Sequence, residues 1–153
     1  FSAGADLDQA RAGLATAPEW EDLSAALAAL PCLTVAALNG SLAGGAFGMA
    51  LACDIRLAVP DARFFYPVMR LGFLPQPSDP ARLVALVGPS RARMILMAGA
   101  RIEAPEALAW GLVDRILPAP DLMDAARALA TDALAADPAH VATIKAMTRP
   151  SRA

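Results

Sequence analysis

The chain has 153 residues, enough for one domain with a sizeable core, and 57% of them are hydrophobic. Its 13 basic and 15 acidic residues leave a net charge of −2; the basic residues are scattered among few aromatics, which excludes a nucleic-acid surface. Cys32, Cys53 and a distant His140 cannot assemble a zinc site, and the two cysteines read as buried thiols of a reducing cytoplasm.

Thr16-Ala17-Pro18-Glu19 reads as a helix start, with proline in the first turn and Glu three residues after Thr. Trp20, Leu23, Leu27 and Leu30 recur at helical spacing, and Pro31 stops the helix. Leu33 to Leu38 is an apolar run that predicts a buried strand. Asn39 to Gly44 reads as a turn, and Gly45 to Ala52 as a small-faced helix deep in the core. Strands are expected at Ile55 to Val59 and Arg63 to Phe65, with Pro60-Asp61 turning the chain between them. Gly72 to Pro80 carries three prolines and reads as a loop. Ser78-Asp79-Pro80 starts a helix that Gly88 ends, and Ser90 caps another through Met97. Pro105 to Trp110 is a helix closed by Gly111, and Leu112 to Leu117 a strand. Helices from Asp121 and from Asp137-Pro138 finish the chain. Strands mixed with helices, then mostly helix, place the fold in the α/β or α+β class.

Cys32 to Cys53 holds no charged residue, but Asn39-Gly40-Ser41 and Gly44, Gly45 and Gly48 interrupt it. A strand, a turn and a buried helix fit this stretch better than a membrane span. No basic run precedes an apolar stretch at the N-terminus, so no signal peptide is expected. The expected location is the cytoplasm.

Two turns stand out. Gly44 and Gly45 open a helix directly behind a strand, and Ser2-Ala3-Gly4-Ala5-Asp6 forms a second turn near the start. Each can present a free backbone N–H. Two such donors on one carbonyl oxygen would stabilise an oxyanion, a contribution of about 3–4 kcal/mol per donor in other enzymes. Glycine allows close approach of a ligand, and the helix N-terminus adds unsatisfied N–H groups. Close helix–strand packing is the structural alternative for a lone Gly-Gly pair.

Phe1-Ser2-Ala3-Gly4-Ala5-Asp6-Leu7 resembles the oxyanion turn of the crotonase (enoyl-CoA hydratase/isomerase) superfamily. Ala37-Leu38-Asn39-Gly40-Ser41-Leu42-Ala43-Gly44-Gly45-Ala46 is similar to its second oxyanion segment. Cys53-Asp54-Ile55-Arg56-Leu57-Ala58, Gly99-Ala100-Arg101-Ile102-Glu103-Ala104, Ala107 to Val113 and Leu117-Pro118 follow in the family's order. The resemblance implies an α/β spiral of ββα turns, here beginning inside the first motif and so lacking the usual N-terminal strands. It implies a core over residues 1–117 and a helical, oligomerising part over 118–153, in homotrimers or dimers of trimers. Leu122, Ala126, Leu129 and Ala133 make an apolar stripe there, a pattern that also suits intramolecular packing. The implied substrate is an acyl-CoA thioester, with no separate cofactor, metal, membrane or nucleic-acid partner. By motif match the oxyanion donors are the N–H groups of Ala5 and Gly45. Ala3, Asp6, Gly44, Gly48, Val68 and Gln76 are the expected substrate-binding positions.

The chain departs from the family pattern at its acid–base positions. Hydratases of this family carry a glutamate three residues after the second oxyanion glycine, where this chain has Gly48. Their second glutamate follows a proline; here Pro67 is followed by Val68. Neither residue can move a proton, so isomerisation or another enolate chemistry is expected over hydration. A non-catalytic acyl-CoA-binding protein is the alternative. Three residues are candidates to complete the chemistry. Asp79 reads as an ordinary helix-start residue or as an acid or base. Tyr66 reads as a packing residue or a proton donor. Gln76 can orient a thioester or a water. Asp6 is expected to hold its turn by accepting backbone N–H bonds, and Asp54 to be structural. Arg70 reads as a subunit or solvent contact, Arg11 is the cation nearest the first motif, and Lys145 has an open role.

Overall fold

Asp6 accepts hydrogen bonds from the backbone N–H groups of Asp8 and Gln9 and thereby starts a five-residue helix, α1 (Leu7–Arg11). The computed structural model describes residues 1–148; the last five residues of the expected 118–153 segment lie outside the described residues. A 3-10 turn (Leu14–Thr16) leads into α2 (Glu19–Ala29), which starts where Pro18 predicts, although Thr16 bonds to Gly13 O instead of forming a capping box. The apolar stripe of α2 is not a core face. Leu23 and Leu30 are exposed, and the buried residue of this helix is Ser24.

Next come β1 (Val35–Leu38), β2 (Leu42–Ala43), α3 (Ala46–Ala52), β3 (Ile55–Ala58), β4 (Arg63–Phe65) and α4 (Val68–Leu71). The second half holds α5 (Asp79–Leu96), β5 (Ile102–Glu103), α6 (Ala104–Trp110), β6 (Arg115–Ile116), α7 (Leu122–Leu129), α8 (Thr131–Ala135) and α9 (Pro138–Met147). Gly88 breaks α5 as its sequence predicts, with φ +79° and ψ 164°, and Pro89 follows the break. Two three-stranded sheets result. Strands β1, β3 and β6 are parallel; β2 pairs parallel with β4, and β4 antiparallel with β5. The segment expected to be only a turn, Asn39 to Gly44, thus contains β2. The strand expected over Leu112 to Leu117 pairs only at Arg115–Ile116. Strands of two residues are too short to show alternation, so tertiary pairing alone reveals them.

The core lies between the sheets and α3, α5 and α6. Phe47, Phe64, Leu38, Leu57, Leu83 and Ile95 are fully buried, each worth about 1.5–3 kcal/mol over exposure. Three of the four residues of the stripe expected on the C-terminal helices turn inward: Leu122 is buried, and Ala126 and Leu129 pack on the core. Arg56 is buried too. Its guanidinium donates to the carbonyls of Leu112 and Cys53 and pairs with Asp114, which fastens β3 to the segment before β6. Asp54 is structural as expected. It accepts from Thr34 N–H and Oγ1, and Lys145 Nζ reaches it at 2.7 Å, tying α9 to the start of β1. Burial pushes the Asp54 carboxyl up, but the Lys145 and Thr34 hydrogen bonds outweigh it and hold it below the usual carboxylate range. The expectation of two buried thiols is corrected: Cys53 is half-buried, and Cys32 is exposed because it follows Pro31 in the irregular link between α2 and β1. His140 is exposed. Among the described residues no helix is long and apolar enough to cross a membrane.

Candidate active site

Ser2 and Leu42 form a parallel β-bridge, with Ser2 N–H donating to Ser41 O and Ala43 N–H donating to Ser2 O. This register carries residues 3–5 alongside residues 43–45. Gly4 has φ +97° and Gly44 φ +59°, conformations that favour glycine. The two bends touch. A Cβ on Gly44 would stand 3.3 Å from Gly4 Cα, and one on Gly4 would stand 3.4 Å from Ala43 O. Gly44 N–H donates to Phe65 O, whereas the N–H groups of Ala5 and Gly45 have no acceptor among the described residues. Gly45 is the N-cap of α3, where the first N–H groups of a helix lack intrahelical partners.

A cleft opens over these bends. Ala3, Ala5, Gly44, Gly45, Tyr66, Val68 and Gln76 all line it, as do Trp20, Leu71 and Phe73. Seven residues expected at the site are therefore brought together. Asp6 is not among them; it caps α1, as expected of a turn-holding residue. Gly48 and Asp79 are not on the cleft wall either. They lie together behind Tyr66.

Asp79 corrects its first reading. Its side chain caps no helix; α5 begins without a side-chain cap. The carboxylate is turned inward, 1% exposed, and Tyr66 Oη donates to its Oδ2 at 2.9 Å. Its Oδ1 is buried with no hydrogen-bond partner among the described residues. An ideal Cβ on Gly48 would lie 2.6 Å from that Oδ1 and 3.2 Å from Cγ. The carboxylate thus fills the space that a side chain at position 48 would need. Burial pushes the Asp79 carboxyl up to about 6, against the Tyr66 hydrogen bond and the Arg82 charge, which lower it; the Glu21 charge raises it further. Burial, reinforced by the facing Asp79 charge, pushes the Tyr66 phenol well above its ordinary value. Tyr66 is also a packing residue: it is buried and stacks on Phe47, centroids 5.5 Å apart.

Gln76, expected to orient a thioester or a water, lines the cleft with its amide nitrogen already engaged. Its Nε2 donates to Ala15 O, and its backbone N–H donates to Tyr66 Oη at 3.4 Å. Val68 opens α4 behind Pro67 and contributes an apolar wall. Arg70 is exposed and Arg11 pairs with Asp8 in solvent.

Two residues escaped the sequence. The Trp20 ring covers Gly45, with Cδ2 3.1 Å from the position of an ideal Cβ, and its Nε1 donates to Leu14 O. Glu21 accepts from both the N–H and the Oγ of Ser78, which lowers its pKa and pins the start of α5. Arg82 donates to Ser24 Oγ from the same helix start. Helical spacing marks Trp20 as one apolar residue among several and Glu21 as a first-turn acid; neither pattern points to these partners.

The family pattern described as enoyl-CoA hydratase/isomerase matches residues 1–152. The carnitinyl-CoA dehydratase of Salmonella arizonae is 36% identical over 158 residues, 99% of this chain and 60% of that protein. Among solved structures, Pseudomonas aeruginosa DspI superposes with a TM-score of 0.86 at 32% identity, covering 95% of this chain and 57% of that one. Enoyl-CoA hydratase subunit I of Geobacillus kaustophilus gives a TM-score of 0.81 at 34% identity, covering 95% and 58%. The chain spans about 60% of the length of the curated relatives it matches.

Proposed function

Because the chain belongs to the enoyl-CoA hydratase/isomerase family and has the crotonase-type α/β fold, we propose that it binds an acyl-CoA thioester in this cleft and stabilises its enolate. The thioester oxygen is held by the N–H groups of Ala5 and Gly45, and Asp79 and Tyr66 supply the acid–base groups. The observation that carries this reading is the contact of two glycine bends beneath one cleft, each followed by an N–H without an acceptor among the described residues. Donors fixed by the fold need no reorganisation as charge develops on the oxygen.

Gly48 and Val68 favour isomerisation or another enolate chemistry over hydration, since neither can hold or activate a water. The same two residues support a second reading, a non-catalytic acyl-CoA-binding relative. In both readings the thioester is a substrate or ligand and no separate cofactor is needed. Residues 1–117 form the acyl-CoA core in this proposal, and 118–153 the part that joins subunits into trimers or dimers of trimers in the cytoplasm. Exposed Met123, Leu134, Ile144 and Met147 on the C-terminal helices support that assembly.

The test compares two variants of the full-length protein. Gly45 has φ −58°, a value proline adopts, so Gly45→Pro removes the N–H at a compatible backbone angle. Gly45→Ala adds the same Cβ against Trp20 and keeps the N–H. Exchange of the α-protons of butyryl-CoA into D2O is expected to fall about 100-fold or more in the proline variant relative to the alanine variant. Equal rates in the two would refute an oxyanion role for this amide. Short 2-enoyl-CoA thioesters are expected to show no appreciable hydration.

A further inference from the structure

We propose that Tyr66 and Asp79 form a two-part proton relay, in which Tyr66 touches the substrate and Asp79, in the space left by Gly48, stores the proton behind it. The inference rests on the thioester reading and gives its two acid–base residues separate tasks.

Access separates them first. Tyr66 lines the cleft with Gly44 and Gly45; Asp79 does not, and is 1% exposed. Hydrogen-bond direction separates them further. Tyr66 Oη accepts from Gln76 N–H and donates its only proton inward, to Asp79 Oδ2. A phenol so oriented can take a proton from the cleft only while passing its own to the carboxylate. Asp79 Oδ1 has no hydrogen-bond partner among the described residues, so the carboxylate keeps acceptor capacity beyond its bond to Tyr66. The groups facing Asp79 are Tyr66, Arg82 from its own helix and Glu21 from α2; α3 presents only the bare Cα of Gly48. Burial places the carboxyl near 6, so it is ionised but easily protonated at neutral pH.

In the step, the substrate's α-C–H bond breaks and its proton bonds to Tyr66 Oη. The Tyr66 O–H bond breaks at the same time, and that proton bonds to Asp79 Oδ2. The C–H electron pair becomes the enolate, whose negative charge rests on the thioester oxygen at Ala5 and Gly45. Asp79 becomes neutral, so total charge is unchanged. Returning the proton to the α-carbon gives exchange; returning it to the γ-carbon of an enoyl thioester shifts the double bond. Gly48 is a specificity-determining residue here: a glutamate at position 48 and the observed Asp79 carboxylate would claim the same space.

The experiment uses the full-length protein with butyryl-CoA in D2O, reading α-proton exchange by mass spectrometry and binding by calorimetry. Tyr66→Phe is expected to slow exchange about 100-fold or more while binding stays within about threefold. Wild-type exchange at saturation is expected to fall as pH drops through about 6, where Asp79 takes its proton. Glu21→Gln removes a negative charge facing Asp79 and is expected to move that limb to lower pH; a purely structural role for Asp79 would leave it in place. The wild-type pH profile serves even where Tyr66→Phe does not fold. Binding with undiminished exchange in Tyr66→Phe, or a wild-type rate flat across this pH range, would overturn the relay alone. Binding without any exchange would overturn it in favour of the non-catalytic reading. No binding of butyryl-CoA or octanoyl-CoA would overturn the relay and the thioester reading together.

Discussion

Replacing Asp79 by asparagine tests the burial of its carboxylate directly. In the folded protein the carboxyl is raised from 3.8 to about 6. At about 1.36 kcal/mol per unit, these roughly two units correspond to about 3 kcal/mol. The sign follows from proton binding. Between about pH 4 and about pH 6 the folded state holds a proton that the unfolded chain has released, so stability falls as pH rises through this window. The stabilisation is fully present below the unfolded value and lost above the folded one. Asparagine does not titrate. It leaves an amide group against Gly48 without a partner, at a cost of about 1–3 kcal/mol that is the same at every pH. The unfolding free energy of Asp79→Asn relative to wild type should therefore shift in the variant's favour by up to about 3 kcal/mol from about pH 4 to about pH 8. Urea unfolding followed by the fluorescence of Trp20 and Trp110 measures it at each pH. A gap between the two proteins that does not change with pH would refute the reasoning, whatever its size.

Two further expectations concern neighbouring contacts. Gly48→Ala places a Cβ 2.6 Å from Asp79 Oδ1, so the carboxylate or α3 must shift; the protein should lose about 1–3 kcal/mol in urea unfolding, and an unchanged midpoint would mean that the carboxylate is not held there. Lys145→Met removes the cation that bridges Asp54 and Cys32 O; amide hydrogen exchange in α9 should quicken while that in β1 and β3 does not, and equal protection in variant and wild type would remove Lys145 as the tether of this helix.

Much of the scaffold was legible along the chain. The helix behind Gly45, the three-proline loop, the break at Gly88 and the αL ending at Gly111 all follow from local rules. Gly4 and Gly44 adopt left-handed backbone, which is a property of single residues and their immediate neighbours. The motif order around them was enough to name the family. Strands β2 and β5, the inward burial of Ser24 and the exposure of Cys32 were not legible, because each depends on what a distant segment lays against it.

The site divides along the same line. Main-chain demands, a glycine where φ must be positive and a free amide at a helix start, are written in the residues themselves. The sequence alone therefore determined where the two glycine bends and the amides that follow them stand. Position 48 shows the opposite case. Read in the chain, glycine there is only a missing glutamate. In the folded protein it is the opening that admits Asp79 from another helix, with Tyr66 in front and Glu21 holding the turn. The use made of an empty volume depends on which remote side chain enters it, and only tertiary packing decides that.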